Sequence, residues 1–207
     1  MSIKRISKDD IIYPAELKSF MGGQAPQSII ALGNLDILRL KKLALFCSVK
    51  CPGSLILKTY DLAQALRQAG IPVIGGFHSP IERECLRILL RGTQPIVICP
   101  ARDIKRMRIR KEYKNPLEEG RLLFLSPFAK GEHRATVQTA IYRNQFVAAL
   151  ASSVFIAYAE QNSKTEQFCR DVVAWRKPLY TLYNETNRNL LELGAKPVSF
   201  DDIHNWV

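Results

Sequence analysis

From Lys42 onward the chain alternates short apolar runs with longer stretches of helical period, and few folds accept that alternation. "KLALFCS" is a strand candidate. In the next segment, "PGSLILKTYDLAQALRQAG", Leu55, Thr59, Leu62, Ala63, Leu66 and Ala69 recur at helical spacing and Gly70 supplies a stop. "IPVIGG" is a second strand, and Ser79 to Arg91 a second helix with Ile81, Cys85, Ile88 and Leu89 on one face. "QPIVICP", "RLLFLSPF", "SSVFIAY" and "KPLYTLY" complete the strand candidates. Further helices fall over residues 136–151, in "KTEQFCRDVVAWR", and in "RNLLELGAKPV", the last closed by Gly194. Apolar strands joined by helices predict βαβ units with both sheet faces covered. Right-handed crossovers make this an α/β, doubly wound, mostly parallel, Rossmann-like sheet in a single domain.

Residues 1–42 have only short patches, such as "DDIIYPAELKSF" and "SIIALGNLDILRLKK". They are expected to be a lead-in segment packed on a core domain spanning 43–207. No apolar run approaches the roughly 20 residues that span a bilayer. The opening "MSIKRISKDDIIYP" lacks the apolar centre of a signal peptide, so a cytoplasmic protein with no membrane partner is expected. Cys47, Cys51, Cys85, Cys99 and Cys169 fit buried thiols in a reducing compartment. Only Cys47 and Cys51 are close together, with no second pair or histidine partner of the kind a zinc site needs.

Sheets of this class bind ligands beyond the carboxyl ends of their strands. Those ends carry "CSVKCPGS", "GGFHSP", "CPARDIKR", "SPFAKGEHR" and "AYAEQNSK". The chain has 30 Lys and Arg against 19 Asp and Glu, a net charge of +11, which favours polyanionic partners. The densest positive stretch is "ARDIKRMRIRKEYKNPLEEGR", where Arg102, Lys105, Arg106, Arg108, Arg110, Lys111 and Lys114 face only Asp103 and Glu112 before the "LEEG" end. Long cationic arms at a ligand-facing edge suit a phosphate backbone, and Tyr113 is placed to stack on a base.

The first loop presents Ser48 and Ser54 near a helix start, the second presents Gly75, Gly76 and His78, and Ser163 stands in the last; these are the candidate phosphate-binding residues of the loops. Ser79 and Glu82 form a capping-box pattern, with Pro80 in the first turn. That pattern spends the cap on the chain itself and sets a negative charge in the first turn, which weakens an anion site there. Neither G-x-G-x-x-G nor the Walker pattern is present, so no cofactor is expected. His78, His133 and His204 share no metal-ligand spacing, and no G-x-S-x-G elbow occurs. Nothing here demands catalysis.

At "YRNQFVAALASSVFIAYAEQNSKTEQFC" the order of features resembles the DNA-processing protein A family (DprA, also called Smf). Arg143 and Asn144 match its arginine–asparagine pair, "FVAALA" its helix, "VFIAYA" its strand, and Ser163 the first residue of its Ser-Gly-rich turn. "YPAELKSF" and the Gly33–Asn34 pair resemble its opening, and "VIGGFHSPIERECL" its Ser-Gly-Leu-Ala-Arg-Gly-Ile-Asp motif through Gly76, Ile81 and Glu82. "NLLELGAKPV" resembles its close through Leu190, Leu191, Gly194, Ala195 and Val198, so the similarity runs from about Tyr13 to Val198. The chain departs from the pattern at Val49, Ser79, Pro80, Leu86, Gln145 and Lys164.

The resemblance implies a non-catalytic protein that binds single-stranded DNA, often as a homodimer, and assists a RecA-type recombinase in DNA uptake or recombination. Lys50, Arg102, Lys105, Arg106, Arg108, Arg110, Arg143 and Lys164 would then meet the nucleic acid, with Arg143 either touching the strand or bracing the site. RNA or a small nucleotide remains an alternative ligand. A nucleotide sensor or phosphoribohydrolase-like enzyme is the rival reading, but its Pro-Gly-Gly-x-Gly-Thr loop is missing. A scaffold that dimerises through its sheet edge is a third.

Overall fold

The computed structural model describes residues 2–129, 131–198 and 200–206. In chain order the elements are β1 (Lys4–Ser7), α1 (Ala15–Met21), β2 (Ser28–Gly33), β3 (Leu43–Phe46), α2 (Gly53–Gln68), β4 (Val73–Gly75), α3 (Pro80–Leu89) and β5 (Ile96–Ile98). They continue with α4 (Lys111–Glu118), β6 (Leu122–Ser126), α5 (Val137–Leu150), β7 (Ser153–Ile156), α6 (Lys164–Ala174), β8 (Leu179–Thr181), α7 (Arg188–Glu192) and β9 (Lys196–Pro197). Among the described residues the nine strands form one sheet in the order β1-β2-β6-β5-β4-β3-β7-β8-β9.

The apolar runs became strands because both of their faces are covered. In β3, Ala44 and Phe46 point to one core layer, with α1, α5 and α6. Leu43 and Leu45 point to the other, with α2 and α3. β6 divides in the same way, Leu123 and Leu125 against Leu122 and Phe124. Successive side chains leave a strand on opposite faces, so a strand sandwiched between helices must be apolar at every position. The six strands from β3 to β8 are all parallel to one another, and each falls on one of the six sequence candidates.

β3 is the middle one of the seven mutually parallel strands. The chain runs outward from it through β4, β5 and β6, then returns to β7 on its other side and runs outward again through β8 and β9. The carboxyl ends of β3 and β7 therefore mark the topological switch point, where open α/β sheets leave a crevice. The fold is the doubly wound, Rossmann-like α/β expected.

The first 42 residues enter this sheet. β2 pairs antiparallel with β6, from Ile30↔Ser126 to Gly33↔Leu123, and β1 pairs antiparallel with β2. Leu17 and Met21 of α1 are buried with Phe146 and Leu150 of α5. "SIIALG" is thus an apolar run of the same kind as the others. No described helix is long and apolar enough to cross a membrane.

Candidate nucleic-acid interface

At the switch point the phosphate cradles that this fold usually offers are filled by carboxylates of the chain itself. Ser79 caps α3, its Oγ accepting from the Glu82 N–H at 3.2 Å, and Glu82 turns back to accept from Ser79 N–H at 3.3 Å. The same buried carboxylate accepts from His78 N–H at 2.8 Å and from Cys47 N–H, at the end of β3, at 3.0 Å. Three backbone donors aimed at a common point are what a bound phosphate would use. Here Glu82 supplies the anion.

α6 repeats the arrangement in "SKTE". Ser163 Oγ accepts from Glu166 N–H at 3.2 Å, and the Glu166 carboxylate accepts from Asn162 N–H at 3.0 Å and from Asn189 Nδ2 at 2.6 Å. The Asn189 amide first, then the Asn162 N–H and Arg170, hold its carboxyl below the usual carboxylate range. Gly75 and Gly76 likewise serve the protein. A Cβ on Gly76 would meet Arg143 Nη1 at 1.5 Å, and one on Gly75 would meet the Phe77 ring at 3.1 Å.

Arg143 is 5% exposed and lies beneath the loops. Its Nη1 donates to Cys99 O at 2.9 Å and its Nε to Asn144 Oδ1 at 2.9 Å. Burial pulls its pKa down, opposed by the nearby Glu82 and Cys99. Ser48 is half-buried and donates to Thr165 Oγ1 at 3.0 Å, drawing the first loop against the start of α6, where Ser163 and Lys164 sit. Lys50, Ser54 and Lys164 are exposed there. α2 begins at Pro52 with no side-chain cap. The loops after β7 and β8 carry Glu160 and Glu185, and α7 carries Glu192 paired with Arg188 at 3.5 Å, around a cavity of about 550 Å³.

Beyond β4, β5 and β6 the charge has the opposite sign. The loop from β5 to α4 is pinned by fully buried Ile104. Ser126 Oγ donates to Arg102 O at 2.7 Å, Asp103 N–H to Glu132 O at 2.8 Å, and Lys105 Nζ to Ala129 O at 2.8 Å. Lys105 N–H also donates to Asp103 Oδ1 at 2.8 Å. Lys130, in the "SPFAKGEHR" loop, lies outside the described residues.

This loop separates two cavities. The inner one, about 260 Å³, has Arg83, Arg87, Arg102, Arg108 and Arg110 on its walls, with His78 at the side and Ile98, Phe124 and Tyr113 among its apolar lining. The outer one, about 490 Å³, is lined by Arg102, Lys105, Arg106 and His133. Arg87 pairs with Glu84 at 2.8 Å, Arg110 with Glu112 at 3.6 Å and Lys105 with Asp103 at 3.9 Å. Among the described residues Arg83, Arg102, Arg106 and Arg108 have no carboxylate within 4 Å. Unpaired guanidinium groups around a fixed cleft bind phosphate by bidentate, charge-assisted hydrogen bonds.

The structure therefore gathers Arg102, Lys105, Arg106, Arg108 and Arg110 with His78 and Gly76. It sets Lys50, Lys164, Ser48, Ser54 and Ser163 at the switch point and Arg143 in the interior. Arg87 was not among the residues singled out from sequence. Its signal is the Arg83–Arg87 spacing, one turn apart on the exposed face of α3. The described residues contain no group of three or more His, Cys, Asp or Glu placed to hold a metal ion.

No curated protein sequence matches the chain. DNA processing protein A from Streptococcus pneumoniae has a similar structure, with a TM-score of 0.81 and 20% identity over 99% of this chain and 74% of that one. The Helicobacter pylori protein of the same name, described by its single-stranded DNA binding mode, gives 0.75 and 19% over 99% and 95%. A molybdenum cofactor carrier protein from Chlamydomonas reinhardtii gives 0.51 and 11% over 77% and 90%. At these identities the likeness establishes a shared fold. The family model for DNA recombination-mediator protein A matches residues 4–207, the span that holds every strand of the sheet and both basic cavities, and the chain belongs to that family.

Proposed function

We propose that this protein binds single-stranded DNA without acting on it chemically, and serves DNA uptake or recombination in the cytoplasm. The contact surface is the Arg102–Arg110 loop with the α3 arginines. The observation that carries this reading is the set of four unpaired arginines, Arg83, Arg102, Arg106 and Arg108, around one pinned loop at the carboxyl edge. Membership of the family and the single-stranded DNA binding described for the Helicobacter pylori protein support it. Lys50 and Lys164 are outlying phosphate contacts, and Arg143 is a positioning residue. The acidic β7–β8 side directs the strand toward the β4–β6 side. A RecA-type recombinase and a second copy of the chain are the partners that this role implies.

A small-nucleotide sensor fits less well, because Glu82 and Glu166 already occupy the helix starts that would hold its phosphates. The test is fluorescence anisotropy with a labelled single-stranded oligonucleotide at about 50 and 200 mM salt. Affinity should fall with a log–log slope of about −0.7 for each phosphate neutralised. Charge reversal at Arg106 and Arg108 together should weaken all sequences alike. Absence of binding at the lower salt would overturn the reading.

A further inference from the structure

The five cysteines are of two kinds. Cys85, Cys99 and Cys169 are buried, and burial pushes their thiols up to about 12. Cys47 and Cys51 bracket the loop after β3, and their side chains share a hydrogen bond in which the Cys47 thiol donates to the Cys51 sulfur. Cys47 is buried, whereas Cys51 is half-buried. Nothing in the nucleic-acid reading uses either sulfur.

Two features of the fold make Cys51 the reactive member. It sits just ahead of α2, whose start has no side-chain cap, so the positive end of the helix dipole favours a thiolate there. The bond from Cys47 stabilises the same anion and pulls the Cys51 pKa down, against the effect of burial. That bond, with burial, pushes the Cys47 thiol up, so Cys47 keeps its proton. As a thiol, Cys51 donates only to Pro52 O at 3.7 Å, a long contact that costs little to give up. Around the pair stand Glu82 and Cys85 of α3, Tyr60 of α2 and Tyr158 after β7, and exposed Lys50 is the chain neighbour. An accessible, acidified thiol beside a second thiol is the arrangement that redox-sensing cysteines share.

We propose that Cys51 is a modification site for peroxides and that Cys47 resolves the product, closing a disulfide across Ser48, Val49 and Lys50. The Cys51 sulfur attacks one peroxide oxygen, the O–O bond breaks, and the departing oxygen leaves as water with the proton that the thiol gave up. Cys51 is then a sulfenic acid. The Cys47 sulfur attacks the Cys51 sulfur, the S–O bond breaks, and a second water carries off the Cys47 proton. Two thiols are oxidised to one disulfide, and the peroxide is reduced to two waters. The bond constrains the loop that Ser48 holds against α6. In a reducing compartment dithiols reopen it, so the modification is transient.

The test exposes the full, reduced chain to near-stoichiometric hydrogen peroxide at neutral pH, then alkylates it after denaturation and maps its peptides by mass spectrometry. A Cys47–Cys51 linkage should form and a dithiol should reverse it, with Cys85, Cys99 and Cys169 recovered alkylated. In Cys47→Ser, which cannot resolve, dimedone should label Cys51 as the sulfenic acid. Without peroxide, iodoacetamide should modify Cys51 in the native protein at least about ten-fold faster than the other three, because the thiolate is the nucleophile. Cys47→Ala removes the donor and should move the pH profile of that reaction to higher pH, while Cys47→Ser should move it less. An unmoved profile would remove Cys47 as the activating partner. Oxidation spread over the other cysteines, or Cys47 and Cys51 both recovered as free thiols after peroxide, would overturn the proposal. Should a variant fail to fold, the linkage map and alkylation rates of the parent protein still decide the outcome.

Discussion

The guanidinium of Arg143 stands where a side chain on Gly76 would have to go, 1.5 Å from the position of its Cβ. With its bond to Cys99 O, this contact ties α5 to the ends of β4 and β5 beneath the basic loop. Because Arg143 is buried and bonded on two sides, it has little freedom to step aside. Gly76→Ala should cost about 1–3 kcal/mol, the usual scale of overpacking. In an Arg143→Ala background most of that cost should vanish, a coupling that urea denaturation of the four proteins would expose. Costs that simply add would refute the contact.

Glu82 gives a second expectation. Glu82→Ala leaves three backbone N–H groups at the switch point without an acceptor, and each buried orphan costs about 1–3 kcal/mol. Glu82→Gln keeps an acceptor and should lose less. If the carboxylate is a built-in anion, millimolar phosphate should raise the Tm of the alanine variant more than that of the parent protein. Equal shifts would show that the cradle collapses when emptied.

Lys177 carries the pH dependence that is simplest to isolate. Its Nζ donates to Ala149 O and Ala151 O and lies 4.0 Å from the centre of the Phe20 ring. Burial, with Lys42 adding to it and Glu16 opposing, pulls its pKa down to about 8. The unfolded chain then binds the proton more tightly, so the lysine's contribution to stability rises with pH from about 8 to its unfolded value near 10.4. The stability of the parent relative to Lys177→Met should increase across that window. A difference flat in pH would contradict the assignment.

The two halves of the carboxyl edge should respond unequally to charge reversal. Arg106→Glu with Arg108→Glu should weaken oligonucleotide binding at least about ten-fold at low salt and lower the salt slope. Lys50→Glu with Lys164→Glu, both exposed at the switch point and outside the two basic cavities, should do less. Equal losses in a paired titration would move the strand toward the switch point.

What the sequence disclosed depended on whether an element's partners lie close along the chain. β3 to β8 were legible because burial on both faces leaves them mostly apolar, with Ser126, Ser153 and Thr181 as buried polar residues at strand ends. β2 is just as apolar, but its partner β6 is remote and no helix of regular period introduces it. α4 was hidden by its charge, since only Pro116 and Leu117 of its eight residues are buried. The basic loop could be read from charge and position, whereas Arg87 acquires its role only when that loop folds over α3. The "SKTE" cap is as plain in the sequence as "SPIE", yet Ser163 drew attention as a phosphate ligand. The burial of Arg143 also left a trace, in its spacing to Phe146, Val147 and Leu150 on the inner face of α5.

The antiparallel pairing of β2 with β6 fixes an order of events. Made before its partner, β2 cannot find its place until β3, β4 and β5 and their helices have emerged and β6 has followed. Until then "SIIALG" is an unpaired apolar segment, open to other chains or to a chaperone. Closing so long a loop is slow, as is usual for distant β pairings. The edge that β1 and β2 finally cover is therefore where a crowded ribosome queue would most readily turn folding into association.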